Sequence, residues 1–111
     1  MAIIDRREIE FDEKALISVI AGSLQRAQAI GLPALRPTSI GFDPQANTMR
    51  VEYGTQPTVS LSSAHLGAFL VSYCVRARIP VPRGADKNIR IQSGSVVLAF
   101  NTHFADPLGA W

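Results

Sequence analysis

The amino-acid sequence predicts a single α+β domain over residues 1–111: a mostly antiparallel sheet of four to six strands with two helices packed on one face. Three observations carry that expectation. Two stretches repeat apolar residues at the helical period, several short runs alternate apolar with polar residues, and turn-forming residues separate those runs. Helices that alternate with hairpins imply an antiparallel sheet. The predicted order is β-α-β-β-β-α-β-β.

The first strand is predicted over 7–11, where Ile9 and Phe11 alternate with Glu8 and Glu10. Asp12 has the chemistry of an N-cap, and Glu13 suits the positive end of a helix dipole. The helix that follows is expected to reach Ile30, with Leu16, Val19, Ile20, Ser23, Ala27 and Ile30 along one face. Gly31 fits the position just past a helix end, and Pro33 forbids continuation. Beyond a linker marked by Pro33 and Pro37, strands over 38–42, 49–53 and 58–61 form a meander. Asp43-Pro44-Gln45-Ala46-Asn47 is turn chemistry, with Asn47 tolerant of the left-handed region.

The second helix organises the chain. Leu66, Phe69, Leu70, Tyr73, Cys74 and Ala77 follow the i, i+3, i+4, i+7, i+8, i+11 spacing of one continuous stripe. Ser62 or Ser63 can cap it, and Pro80 and Pro82 stop it after about Arg78. Residues 79–82 should be extended and 83–87 a loop. Ile89 and Ile91, a Ser93-Gly94 turn and the run 96–101 make the clearest hairpin. That last run is apolar on both faces, Val96, Leu98 and Phe100 against Val97 and Ala99, so it should be central or covered. Residues 105–111 read as a flexible or partner-docking tail.

A chain of 111 residues with 47% hydrophobic and 18% charged residues is ordinary for one globular core. Mean hydropathy of +0.14 is high for so small a domain and points to a homo-oligomer, with excess apolar surface placed in a subunit contact. The formal charge is only +2. Its distribution is lopsided: residues 1–14 hold five acids, while residues 76–90 hold five bases and one acid. One cysteine excludes an internal disulfide. No apolar run is long enough to span a bilayer and nothing resembles a signal peptide, so the expected compartment is the cytoplasm.

Candidate functional residues lie at the basic end. Arg76 and Arg78 suit the last turn of a helix, where cations meet free carbonyls. Arg78, Arg83, Lys87 and Arg90 are the candidates for binding an anion or an acidic partner. Their loop lacks the phosphate-cradling glycine pattern and leads into a strand rather than a helix. Cys74 sits in the apolar stripe and reads as a small buried hydrophobe rather than a nucleophile. His65 lies in the first turn of the second helix. His103 with Asp106 forms a pair too small for a metal site. No catalytic motif occurs, and neither a cofactor nor a metal is implied.

The expectation is a small interaction module rather than an enzyme, a homo-oligomer through Val97 and Ala99 or an aromatic anchor at Trp111. Its basic edge would meet an acidic or phosphate-bearing partner. A nucleic-acid binder using the same edge is the first alternative. A ligand-binding protein or enzyme with a site between helices and sheet, lined by His65, Tyr73 or His103, is the second.

Overall fold

The computed structural model describes residues 3–82 and 85–104. Within them the elements are β1 (Ile3–Asp12), α1 (Glu13–Ala21), α2 (Leu24–Ala29), β2 (Ser39–Asp43), β3 (Thr48–Glu52), β4 (Val59–Ser62), α3 (Ser63–Arg76), β5 (Asp86–Gln92) and β6 (Ser95–Phe104). The α+β class and the antiparallel pairing are as the sequence predicts. The single sheet is not: the six strands form two sheets, ordered β1-β6-β5 and β2-β3-β4. The first joins the two ends of the chain, with β1 running beside β6 from Ile3 opposite Phe104 to Asp12 opposite Ser95. Such pairing depends on contacts far apart in sequence, which local alternation does not report.

Both major helices start without a loop. The side chain of Asp12, the last residue of β1, accepts the Ala15 N–H at 2.8 Å, satisfying an orphan donor of the first turn of α1. Ser62 at the end of β4 does the same for the His65 N–H at 3.4 Å. Each cap therefore turns a strand directly into a helix. The first helix is interrupted where the sequence predicts continuity. Gly22 still donates to the Ser18 carbonyl at 2.9 Å, but Ser23 donates to Ile20 at 3.1 Å and leaves helical geometry with φ −138° and ψ 45°, and α2 resumes at Leu24. Ser23 is buried and its Oγ accepts from the Arg76 guanidinium at 3.0 Å. A tertiary bond thus holds this residue, a poor helix former next to glycine, off the helix.

Two helix ends share one geometry. After α2, the Leu32 N–H donates to the Ala27 carbonyl and Gly31 to that of Gln28, with Gly31 at φ 90°. After α3, Ile79 donates to Cys74 and Arg78 to Val75, with Arg78 at φ 59°. Both are Schellman ends, and the second places an arginine in the left-handed position that glycine usually fills. Hence α3 stops at Arg76, two residues before the predicted end.

Strand alternation sorts the first sheet into two faces. Ile9, Phe11, Ile89, Ile91, Val96, Leu98 and Phe100 join the core. In the second sheet Ile40, Met49, Val51 and Leu61 do so. Helix α1 packs against β1 and β2, and α3 against β4 and β5, so each helix ties the two sheets together around one core. The turn over 44–47 is built as predicted: Asp43 Oδ1 accepts the Ala46 N–H at 3.1 Å, and Asn47 has φ 54°. Strand β5 begins at Asp86, which moves Lys87 out of the predicted loop and into the sheet.

Candidate functional site

Among the described residues, the basic side chains named from the sequence do not share one surface. Lys87 and Arg90 are three apart on β5 and so project from opposite faces. Arg90 lies on the face away from the helices, where its guanidinium meets Glu8 Oε1 at 3.2 Å. The N-terminal acids and the basic stretch are thus neighbours across β6, and part of the charge asymmetry closes within the chain. Arg78 is exposed at the end of α3. Arg83, Asp106, Trp111 and the rest of residues 105–111 lie outside the described residues, as does the side chain of His103. His65 is exposed in the first turn of α3.

Val97 and Ala99 face away from the helices yet are only 2% and 7% exposed in the single chain. Their cross-strand neighbours explain this. Glu10 and Arg90 flank Val97, and Glu8 and Asn88 flank Ala99, so longer polar side chains bracket the two small apolar ones. Lys and Arg stems commonly cover apolar surface in this way.

The open apolar surface lies elsewhere, on α3. This helix carries one charged residue, Arg76, in 14 positions. Leu66, Phe69, Leu70 and Cys74 are buried, whereas Ala64 and Ala68 are exposed and Val75 is 64% exposed. A helix with apolar residues on two faces normally has both covered. Beside this face runs a groove of about 420 Å³, with Ser63, Ala64, Gly67, Ala68 and Val71 on one wall and Lys87, Asn88 and Ile89 on the other. Gly67 sets the depth of its seat: a Cβ there would stand 3.1 Å from Ile89 Cγ1. The signal for this face was present in the sequence, as the helical spacing of Ala64, Ala68, Val71 and Val75.

The β5 wall is a sheet edge. The Ile91 N–H leaves the ladder and donates to Asn47 Oδ1 at 3.4 Å. Residues of an antiparallel strand alternate between facing their partner and facing away, so Ile89 and Lys87 direct their N–H and C=O groups outward too. No hydrogen bond outside the ladders reaches these groups among the described residues. The edge of β2 differs, because Glu13 Oε2 accepts the Ile40 N–H at 2.9 Å. One edge is blunted and the other is open over Lys87 and Ile89.

A second groove, of about 510 Å³, lies among α1, β1 and the end of α3. Ile9, Phe11, Val19 and Ile79 give it apolar walls, with Tyr73 and Arg76 also lining it. The Phe11 and Tyr73 rings meet edge to face, centroids 6.2 Å apart. Burial pushes the Cys74 thiol above its ordinary value, which disfavours the thiolate a nucleophile needs. Among the described residues no three His, Cys, Asp or Glu side chains are grouped to hold a metal ion, and no helix is long and apolar enough to cross a membrane. No protein-family model matches the chain, and no curated protein or solved structure is significantly similar to it.

Proposed function

We propose that this chain is a protein-interaction module whose working surface is the groove between α3 and β5. There an extended segment joins the free edge of β5 and lays its side chains against α3. The observation that carries this reading is the open edge at Lys87 and Ile89 beside a helix face of small apolar residues. Strand addition draws affinity from main-chain hydrogen bonds and specificity from adjacent side-chain pockets. Lys87, exposed at the groove, favours an acidic residue in the bound segment. Arg90 contributes from the other face of the same strand.

The test is selection of a displayed peptide library on the full chain, with binding mapped by backbone amide shifts. Selected peptides should perturb residues 63–71 and 87–89, and Ala68→Arg, at an exposed helical position, should remove them. Peptides that bind elsewhere, or that ignore Ala68→Arg, would refute the reading.

The second groove favours a second reading, a carrier of small anionic amphiphiles. Arg76 donates to Ser23 Oγ and has no carboxylate within salt-bridge distance among the described residues. It stands beside apolar walls in a space of ligand size. Octanoate titrated by calorimetry should bind to the wild type and not to Arg76→Gln. No heat with the wild type dismisses this reading.

A further inference from the structure

We infer that a second copy of this chain docks edge to edge on β5, antiparallel and centred on Asn88, so that two three-stranded sheets become one of six strands. This rests on the interaction-module reading and names its partner. The stretch available for pairing has two limits. Strand β5 starts at Asp86, and beyond Arg90 the edge is closed by Asn47 on the Ile91 N–H. The midpoint of that open stretch is Asn88.

Three twofold registers use outward-facing residues, and charge and access separate them. Centring on Lys87 sets each Lys87 against its own copy, two cations directly opposite one another. Centring on Ile89 requires the Ile91 N–H that Asn47 already occupies. Centring on Asn88 pairs Lys87 with Ile89 of the copy, so both edge-facing residues exchange main-chain bonds. It also sets Asp86 opposite Arg90 of the copy on the same sheet face, an attractive cross-strand pair. Each contact occurs twice, as an isologous interface demands.

The small face of α3 fits the same arrangement. Neighbouring strands lie about 4.8 Å apart, whereas packed helices need about 8–10 Å between axes. Helices seated over adjoining β5 strands are therefore crowded, and only short side chains relieve the crowding. Ala64, Ala68 and Val71 supply them. Val75, the most exposed large apolar side chain of the described residues, extends the same face toward the helix end.

Disulfide trapping of the full chain tests the register. Opposed Asn88 residues form a non-hydrogen-bonded pair with Cα atoms about 4.5 Å apart, within disulfide reach. Native Cys74 is fully buried and does not compete. Sedimentation of the wild type should show a reversible dimer at high micromolar concentration. Mild oxidation should trap Asn88→Cys as a covalent dimer about tenfold or more faster than Thr58→Cys, an exposed control just before β4. Lys87→Pro removes an outward N–H without touching the β5–β6 ladder. It should keep the circular dichroism spectrum and raise the dissociation constant about thirtyfold, because each copy loses one backbone donor at the seam. A wild type that stays monomeric, equal trapping of the two cysteine variants, or a dimer indifferent to Lys87→Pro would each overturn the inference. Peptides that still select residues 63–71 and 87–89 in that case preserve the module reading and remove only the second copy.

Discussion

Tyr53→Phe should make this protein more stable. Tyr53 follows β3, is 7% exposed, and belongs to the core with Met49 and Val51. Its hydroxyl is buried and has no hydrogen-bond partner among the described residues. A desolvated hydroxyl without a partner costs about 1–3 kcal/mol, and phenylalanine keeps the ring while removing that cost. The expected gain is about 1 kcal/mol, or roughly 4 °C in Tm for a domain of this size. Urea unfolding followed by far-UV circular dichroism measures it, with the slope against denaturant unchanged. Alkaline pH supplies an independent arm. Burial raises the Tyr53 hydroxyl above its ordinary 10.0 and the Cys74 thiol above its ordinary 9.0, so the folded chain holds both protons more tightly than the unfolded chain. The stabilisation is complete below the ordinary values and is lost as pH rises through the folded ones. Stability should therefore decline above about pH 9, and Tyr53→Phe should flatten the portion above about pH 10. A Tyr53→Phe protein less stable by 1 kcal/mol or more, roughly the worth of one hydrogen bond, would show that the hydroxyl is satisfied and sink the reasoning.

Two further substitutions test the helix ends. Asp12→Ala removes the side-chain acceptor of the Ala15 N–H and should cost about 1 kcal/mol in urea unfolding. Gly31→Ala should cost about 1–2 kcal/mol through backbone strain alone, since φ is 90° and a Cβ there meets nothing within 4 Å. Equal stability of the Gly31→Ala protein would mean that the turn relaxes.

Hydrophobic packing and edge pairing place different demands on sequence, and that difference explains which features were readable. The stripe of α3 was visible because Leu66, Phe69, Leu70 and Cys74 recur with the pitch of a helix that buries one side. The two apolar faces of β6 were visible, and the expectation of a central strand is met by β1 and β5 on its flanks. The cover over Val97 and Ala99 was not, because it comes from neighbours brought together only by pairing, among them Glu8 and Arg90. The predicted basic edge divided for a related reason. Once Lys87 joins a strand instead of a loop, the two-residue repeat sends it and Arg90 to opposite faces.

Local rules acting over a few residues were thus settled by composition and order alone: the cap at Asp12, the Asp43–Asn47 turn, the Gly31 stop and the inward stripes. Partition into two sheets, the break at Ser23 and the open groove beside Lys87 and Ile89 were decided by tertiary structure. Each depends on an interaction between distant residues, β1 with β6, Arg76 with Ser23, α3 with β5, whose energy is realised only when the chain closes upon itself.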